Sequence, residues 1–407
     1  MEDGDSSSDQ QGYPSPSYMD YFIAGCRRIR PGNEIDWGKD PQVERNEAKS
    51  FVKKAYDDGV PLFTKNALRE IQKQLTSDLQ AGQKVSIKGI DGVTVEFDVK
   101  TGELVLSGIN SEYVASLAAI LACRYGIDMG YCTMGIRHPV FLRHDVTKEF
   151  INIKPTKDYD SVKKSFMDIQ RRWECSDTCL QLRTALKDIK LPQDLIVNKI
   201  VAFACGSISG DRNGPSGAYR AAKLRETSLY QHAMLCTLQD TLKTRKGCHE
   251  VQCLAQDPIY TSVDSKVLGE AGITIVEDPE GFLQVDDTTV VVSLYPNAPV
   301  KQVVADISRP AVIIWDVFTH DGDGLTDPVS SRVEAFMQGF CQAYKFPSDD
   351  DNMMDLALFT RIDILSMASW SSAPGFFWGV TQGKVLEFSD NYMPNSFQVT
   401  VVTEKPT

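Results

Sequence analysis

Small and polar residues follow a series of apolar segments in the second half of the chain, and these residues are the best placed for chemistry. The segments consist mainly of Val, Ile, Leu and Ala, which is typical of parallel strands buried on both faces. Ligands of open parallel sheets bind in the crevice beyond the carboxyl ends of the strands. We therefore expect a ligand cleft lined by Gly206, Ser207, Ser209, Asp257, Tyr295, Asn297 and Asp316.

The turn at Gly206 and Ser207 is the first candidate binding feature. A glycine turn lets backbone amides approach a ligand anion or a nucleoside. Its spacing to Gly210 does not fit the Gly-x-Gly-x-x-Gly pattern of dinucleotide sites. A tight strand-to-helix turn explains the glycine equally well, so both interpretations stay open.

Asp257, which follows the second apolar segment, is the second candidate. An acidic residue at this place often binds a ribose hydroxyl. Alternatively, Asp257 and Pro258 start a turn in which the aspartate caps the next helix. On the helix predicted above the cleft, Gln231 adds a polar side chain, and His232 serves either as cleft lining or as a structural histidine.

The sequence identifies neither a metal site nor a catalytic residue. Cys175 and Cys179 are spaced for one helix face, and Cys248 and Cys253 lack the spacing of the Cys-x-x-Cys pairs in zinc sites. The segment 320–327 lacks the full calcium-loop pattern. Gly-x-Ser-x-Gly, His-Glu-x-x-His and P-loop motifs are absent. We predict no metal ligands and leave open whether the protein is an enzyme.

The elements that must position these residues alternate between strand and helix. Five apolar segments between 200 and 316 are separated by helical segments, which predicts a parallel sheet with helices on both faces. A helix at 329–344 and late strands at 376–388 and 396–403 are expected to follow, and these strands would close one sheet edge. The fold class is therefore α/β, with a Rossmann-like, doubly wound, mostly parallel sheet.

The first half of the chain predicts an N-terminal helical and β-meander extension. Its predicted elements are helices at 42–80 with a break at Asp58 and Gly59, an antiparallel meander at 85–107, an apolar helix at 112–125 and a long charged helix at 159–189. The last helix is expected to bury Phe166, Ile169, Trp173 and Leu180.

Changes in composition divide the chain into four predicted regions. Residues 1–38 carry Ser, Pro, Asp and Gly with little periodicity and are expected to be a disordered arm. Residues 39–190 form the helical and meander region, 191–345 the Rossmann-like core, and 346–407 the strands that complete the core.

Six short motifs, in chain order, resemble the SRR-like domain family (sensitivity to red light reduced). They are KIVAFACGSIS, SLYQHAML, CLAQDPIY, VLGEAGITIVED, VVVSLYPNAPV and PAVIIWD. The resemblance covers about 190–320, and the long first half and the tail are similar to extended versions found in filamentous fungi. Many members end the fourth strand in a Met-Pro-His-Cys-like sequence, whereas this chain reads Leu294-Tyr295-Pro296-Asn297. A metal or haem role is therefore not carried over to that position.

The resemblance implies a fold similar to the Rossmann-like methyltransferases, which is a likeness of fold alone. Family members are linked to light and circadian signalling in plants, to cytoskeletal and stress phenotypes in yeast, and to haem homeostasis in animals. The resemblance supplies no reaction to transfer, and the cofactor stays unknown.

The charge balance limits the classes of partner. With 43 Lys and Arg against 55 Asp and Glu, the net charge is −12, which disfavours direct binding to nucleic acid or to an anionic membrane. No apolar stretch approaches the roughly 20 residues of a membrane-spanning helix, and the acidic, polar start does not fit a signal peptide. Cysteines lie within apolar runs, as reduced core cysteines do. We expect an intracellular protein, cytoplasmic or nuclear.

Three functional hypotheses follow. The first is a regulatory protein whose core binds a small ligand or a protein partner, neither of them identified. The second is a transferase that uses a nucleoside cofactor of the S-adenosylmethionine type in a fungal specialised-metabolism pathway. The third is a haem-binding regulator that uses Cys or His.

Overall fold

The computed structural model describes residues 21–23, 26–29, 41–77, 79, 82–99, 105–106, 130–139, 141–142, 157–192, 195–210, 217–245, 250–316, 327–346, 356–362 and 397–400. In this part of the chain, no helix is long and apolar enough to span a bilayer.

The first half of the described chain contains two helices and several short strands. In chain order these are β1 (Tyr21–Ile23), β2 (Cys26–Arg28), α1 (Pro41–Asp57), α2 (Lys65–Leu75), β3 (Lys84–Lys88), β4 (Thr94–Asp98), β5 (Val105–Leu106), β6 (Met134–Pro139) and β7 (Phe141–Leu142). The predicted helical stretch at 42–80 and its break are confirmed by α1 and α2.

The second half alternates helices and strands. In chain order these are α3 (Tyr159–Glu174), α4 (Asp177–Asp188), β8 (Lys199–Phe203), α5 (Gly217–Lys243), β9 (Gln252–Gln256), α6 (Ser262–Glu270), β10 (Ile273–Ile275), α7 (Glu280–Gln284), β11 (Thr289–Ser293), α8 (Val300–Ile307), β12 (Val312–Asp316), α9 (Ser331–Met337), β13 (Phe340–Lys345), β14 (Leu356–Arg361) and β15 (Phe397–Thr400).

The core is a seven-stranded sheet with the strand order β10-β9-β8-β11-β12-β14-β13. Strands β8 to β12 run parallel to one another, and β14 is antiparallel to both of its neighbours. The order reverses between β8 and β11, because the chain first adds strands on one side of β8 and then on the other. The prediction of a mostly parallel, doubly wound Rossmann-like sheet is confirmed.

Alternate residues of the central strands face two hydrophobic clusters, one on each side of the sheet. Ile200 and Ala202 of β8 contact the cluster built by α3, α4, α5 and α6. Val201 and Phe203 contact the cluster built by α2, the β3–β4 hairpin and α8. Full burial of such an aliphatic side chain contributes about 1.5–3 kcal/mol. Burial on both faces explains why the strand segments are continuous apolar runs.

The segment between α1 and α2 is tied to the core through α8. The carboxylate of Asp306 accepts hydrogen bonds from the backbone nitrogens of Leu62 at 2.8 Å and Phe63 at 3.1 Å. Arg332 of α9 forms an ion pair with the same carboxylate at 3.2 Å. The N-terminal helices therefore share both a hydrophobic cluster and a polar anchor with the sheet.

The helix predicted at 159–189 is two helices. Ser176 has an extended backbone and accepts a hydrogen bond from Cys179 N at 3.2 Å, which caps α4 and separates it from α3. Phe166, Ile169 and Trp173 are buried as predicted, but the side chain of Leu180 is 55% exposed. The prediction for Leu180 was wrong because the break changes the face that α4 turns to the core.

The meander predicted at 85–107 is only partly present. Strands β3 and β4 form the expected antiparallel hairpin outside the core sheet. The third strand, β5, pairs in parallel with β7, and β2 occupies the place beside β4. Both β2 and β1 belong to the arm predicted to be disordered, so that prediction is wrong for these strands. Their backbone partners lie far away in the chain, which local composition does not reveal.

The C-terminal elements also differ from expectation. The helix predicted at 329–344 stops at Met337, and the edge strand β13 follows it. Phe340 favours the strand because it packs with Trp315 and Phe359 in a small cluster. The core edge is closed by β13 and β14, whereas β15, expected at that edge, pairs with β6 in another sheet.

Three predicted segments lie outside the described residues. They are the helix at 112–125, the strand at 376–388 and most of the segment 320–327 that was compared with a calcium loop.

Candidate functional site

The carboxyl ends of the parallel strands lie side by side as predicted. Gly206 follows β8 and donates a backbone hydrogen bond to Asp257 Oδ2 at 2.9 Å, which joins the ends of β8 and β9. Tyr295 and Asn297 follow β11, the neighbour of β8 on its other side, and both are exposed. Asp316 ends β12. The residues predicted from the strand ends therefore share one edge of the sheet.

Two non-glycine residues with positive φ mark the place where the strand order reverses. Ala204 has φ 60° and Tyr295 has φ 51°, a left-handed conformation that costs residues with a side chain roughly 1–2 kcal/mol. The two strand ends are joined, because Leu294 N donates to Phe203 O at 3.2 Å. Such strain persists where surrounding structure enforces it, and it clusters at functional sites.

An unpartnered hydroxyl lies at the same place. Ser293, the last residue of β11, is fully buried, and its Oγ has no hydrogen-bond partner within the described part of the chain. A buried hydroxyl without a partner costs free energy. It is therefore a group that a bound ligand or water would stabilise.

Asp264 holds the turn after β8 in place. Its buried carboxylate accepts from Ile208 N at 3.0 Å and Ser209 N at 2.8 Å through Oδ1. Through Oδ2 it accepts from Ser207 Oγ at 2.8 Å and Thr261 N at 2.7 Å. The sequence analysis missed Asp264, although Thr261-x-x-Asp264 is a capping-box pattern that opens α6.

The two predicted serines are buried in this turn. Ser207 Oγ accepts from Gly210 N at 2.8 Å, and the Ser209 hydroxyl shares a hydrogen bond with Thr261 Oγ1 at 2.7 Å. Their hydrogen bonds therefore stabilise the loop conformation.

Gly206 is required by its backbone and by its packing. Its φ is +73°, and an added Cβ would lie 2.3 Å from Ser228 Oγ. Close packing of the turn against α5 therefore accounts for the glycine, as the strand-to-helix alternative expects. A ligand role for Gly206 stays a prediction.

Asp257 is half-buried and stabilises a turn of its own. Besides accepting from Gly206 N, it accepts from Ile259 N at 3.2 Å through Oδ1, the hydrogen bond of an Asx turn. The helix-cap alternative was wrong, because the N-cap of α6 is Thr261. The carboxylate remains reachable from solvent.

His232 belongs to a buried chain of hydrogen bonds beneath the turn. Its Nδ1 lies 2.6 Å from Ser228 O, which only accepts, so Nδ1 is protonated and Nε2 accepts from the Tyr260 hydroxyl at 2.8 Å. The buried Cys205 thiol lies near Tyr260. Burial lowers the pKa of His232 to about 4 and raises the pKa values of Tyr260 and Cys205. These buried side chains are therefore uncharged, and their role is structural. Gln231, next to His232 on α5, is also buried.

A buried charge cluster lies beyond β12. Lys301 of α8 is 2% exposed, and its Nζ lies 2.8 Å from Asp316 Oδ1 and 3.3 Å from Asp327 Oδ2. Lys301 also donates through its backbone nitrogen to Asp327 Oδ1 at 3.0 Å. Burial, reinforced by the charge of Asp316, raises the pKa of Asp327 to about 7. Lys301 was not singled out from the sequence, and Asp327 was considered only as the last residue of the segment compared with a calcium loop, because no local pattern joins the two residues.

A groove of about 630 Å³ lies away from the strand ends. It is formed by α4 and the edge strand β13, with Leu180, Thr184, Ile189 and Tyr344 in its wall. Among the described residues, no group of three or more His, Cys, Asp or Glu side chains is arranged to hold a metal ion.

Comparison with known proteins gives one family. The family model described as the SRR1 domain matches residues 180–398, which is more than half of the chain and includes the whole core sheet. No curated protein and no solved structure matches the chain.

Proposed function

This chain belongs to the SRR1 domain family, and we propose that it is a regulatory protein whose Rossmann-like core binds a small ligand at the ends of β8, β9 and β11. In this proposal, Asp257, Tyr295 and Asn297 contact the ligand, because they are the predicted residues that reach solvent at these strands. The remaining predicted residues shape the site: Gly206, Ser207, Ser209, Gln231 and Asp316.

The paired strain at Ala204 and Tyr295 is the observation that carries the proposal. It occurs at adjacent ends of the two central strands, where doubly wound sheets bind their ligands. Ser293 supports it, since a buried hydroxyl without a partner lies at the same end of β11. The positive φ of Tyr295 accompanies an aromatic side chain that is 47% exposed. A planar group can stack on such a ring.

Binding is favoured over catalysis by the state of the nucleophilic and basic groups near the turn. The His232 imidazole is buried with both nitrogens hydrogen-bonded. Burial raises the pKa of the Cys205 thiol, which disfavours the reactive thiolate. Neither group is therefore poised to attack or to deprotonate a substrate at the proposed site.

A transferase is the second candidate, and the Lys301 cluster is the observation that favours it. A carboxyl group whose pKa is near 7, as burial makes that of Asp327, has the acid–base strength that general catalysis needs at neutral pH. It lies beside β12, one strand from β11. The haem hypothesis gains no support from His232, whose ring nitrogens are both engaged.

The four regions at 1–38, 39–190, 191–345 and 346–407, and a cytoplasmic or nuclear location, remain parts of the proposal. The strands β1 and β2 shorten the proposed disordered arm. The hydrophobic cluster that α2 shares with β8 and β11 supports folding of the second region together with the third.

Titration calorimetry of the full chain tests the proposal. The compounds are S-adenosylmethionine, S-adenosylhomocysteine, nicotinamide dinucleotides and haem. Asp257→Asn should weaken binding of the true ligand roughly 10- to 150-fold, because a hydrogen bond to a charged group contributes about 1.5–3 kcal/mol. Tyr295→Ala should weaken it about 10-fold through lost stacking.

Leu180→Ala is the matched control, since Leu180 is an exposed apolar residue on α4 in the wall of the distant groove. It should leave the affinity unchanged. Absence of binding by every compound, or equal binding by wild type, Asp257→Asn and Tyr295→Ala, would contradict the proposed ligand site and favour a partner-binding scaffold.

A further inference from the structure

The turn after β8 is where a Rossmann-like fold binds phosphate. Dinucleotides place their pyrophosphate on the backbone amides of the first strand-to-helix turn, at the N-terminus of the following helix. Those amides are free to donate only if the protein itself leaves them without an acceptor. Their partners in this chain therefore decide which ligands the site accepts.

An internal carboxylate occupies the centre of this turn. Ile208 N and Ser209 N both donate to Asp264 Oδ1, at 3.0 and 2.8 Å. Asp264 is 0% exposed and is fixed by the capping box with Thr261 at the start of α6. A phosphate at these amides would have to displace a buried carboxylate that also accepts from Ser207 Oγ and Thr261 N.

The flanking amides of the turn are also engaged. Gly206 N donates to Asp257 Oδ2 at 2.9 Å, and Gly210 N donates to Ser207 Oγ at 2.8 Å. The turn therefore presents two carboxylates where a phosphate site presents N–H groups. The negative charges of these carboxylates repel an anion that binds beside the turn.

The helix after the turn does not supply a positive end either. Helix α5 begins at Gly217, and the residue against Gly206 is Ser228, in the middle of that helix. The partial positive charge of a helix is confined to its first turn. The dipole of α5 is therefore not directed at an anion bound beside Gly206.

The groups that remain accessible suit a different ligand. Asp257 is a half-buried acceptor, and Tyr295 is an exposed aromatic ring two strands away. Neighbouring strands lie about 4.8 Å apart, so these positions are separated by about 10 Å, a span that a nucleoside with a short substituent can bridge. A carboxylate binds hydroxyl or ammonium groups, and the ring binds a base.

We infer that the site takes a nucleoside that carries no phosphate, with hydroxyl or cationic substituents, and that it discriminates against nucleotides. This inference rests on the proposed ligand site and specifies its ligand class. The carboxylate of Asp264 occupies the position of the ligand phosphate, and it makes the turn a fixed wall of the site.

Matched compounds that differ only in phosphate test the discrimination on the wild-type chain. Calorimetry at constant ionic strength compares adenosine with adenosine monophosphate and diphosphate, and includes S-adenosylhomocysteine as a phosphate-free nucleoside with an ammonium group. We expect the phosphate-free compounds to bind at least tenfold more tightly. A monophosphate or diphosphate that binds as tightly as adenosine would overturn the inference but leave the proposed site standing. Absence of binding by all four would overturn the inference, whereas the proposed site would still stand if a nicotinamide dinucleotide or haem bound to it.

A second measurement needs no organic ligand. In Asp264→Ala, Ile208 N loses its acceptor and Ser209 N keeps only the longer hydrogen bond to Ser207 Oγ at 3.2 Å. Inorganic phosphate should therefore raise the melting temperature of this variant more than chloride of equal ionic strength does. Phosphate should have no such specific effect on the wild type or on Asp257→Asn. An equal response of Asp264→Ala to phosphate and chloride would overturn the assignment of Asp264 to the phosphate position. If that variant does not fold, the calorimetric comparison decides alone.

Discussion

Two buried aspartates at the same edge of the sheet show how differently one side chain can be used. Asp264, below the end of β8, accepts four hydrogen bonds from groups of the β8 turn and of the start of α6. Asp327, beside β12, shares the single ammonium group of Lys301 with Asp316. The Oδ2 atom of Asp327 is in ion-pair distance of Lys301 but lacks a hydrogen bond of normal geometry within the described residues.

The difference follows from the number and kind of donors. Three fixed backbone N–H groups and one hydroxyl donate to Asp264 and join the turn after β8 to the start of α6, so Asp264 acts as a structural brace. Burial disfavours the charged form of Asp327, and the nearby charge of Asp316 adds to this, so the pKa of Asp327 is raised and a proton on it is favoured. The first carboxylate should therefore control stability, and the second should control its dependence on pH.

Removal of the brace should have the largest effect. Asp264→Ala removes the buried acceptor of Ile208 N and of the capping Thr261 N, and it leaves Ser209 N only its 3.2 Å hydrogen bond to Ser207 Oγ. Breaking such a buried charged network costs about 3–5 kcal/mol. Urea denaturation measures the free energy of unfolding. Asp257→Ala is the control at the neighbouring strand end, and because Asp257 is half-exposed this variant should lose only about 1 kcal/mol of unfolding free energy. A loss of under about 1 kcal/mol for Asp264→Ala would contradict its role.

The pH dependence tests the other aspartate. The folded pKa of Asp327 is about 7 against a model value of 3.8, so between these values the folded state holds a proton that the unfolded state releases. The contribution of Asp327 to the free energy of unfolding therefore falls as the pH rises towards 7, by up to about 1.4 kcal/mol per pH unit. The unfolding free energy of wild type minus that of Asp327→Asn should decrease by about 2–3 kcal/mol between pH 5 and pH 8.

Asp57→Asn is the matched control for this measurement, because Asp57 is an exposed partner of Lys53 on α1. The unfolding free energy of wild type minus that of Asp57→Asn should not change between pH 5 and pH 8, since an exposed ion pair contributes little to stability. A flat difference for Asp327→Asn as well would show that Asp327 does not exchange a proton in this range.

Packing beneath the turn should matter less than the brace. Gly206→Ala combines a φ of +73° with a Cβ placed 2.3 Å from Ser228 Oγ, whereas Gly59→Ala has a φ of +82° and open space around the added Cβ. In both variants the strained backbone should lower the free energy of unfolding by about 1 kcal/mol. In Gly206→Ala, overpacking should lower it by about 1–3 kcal/mol more. Ser228→Ala should recover part of that extra loss in thermal or urea unfolding. Equal losses for the two glycines would rule out the close contact.

The smallest effect should come from relief of strain. Ala204→Gly removes a left-handed alanine at the end of β8, so it should stabilise the fold by up to about 1 kcal/mol after the entropy of glycine in the unfolded chain is counted. If the strain shapes the ligand site, the same variant should bind the ligand more weakly. Ala202→Gly within β8 is the control and should only destabilise. Destabilisation of equal size in both variants would contradict the strain at Ala204.

The strand ends illustrate how much of the site was predictable. Apolar runs predict buried parallel strands, and parallel strands bring their carboxyl ends together, so the proximity of Gly206 and Asp257 followed from the sequence alone. The partners of these residues did not follow. Asp264 lies on α6 and Ser228 on α5, and neither spacing nor composition relates them to the turn that they support.

The sequence by itself determined the doubly wound core, because burial on both faces requires the continuous apolar runs of β8, β9, β11 and β12 and the helices between them. Only the tertiary structure decided which strands β5, β13 and β15 pair with, because the pairing of short strands depends on distant partners. It also decided that Leu180 is exposed, because the break before α4 changes which side of that helix packs on the core. It also decided the chemistry of the aspartates. Asp264 and Asp327 are the same residue type in the sequence, and only the donors that folding brings around each carboxylate make one a brace and the other a proton acceptor.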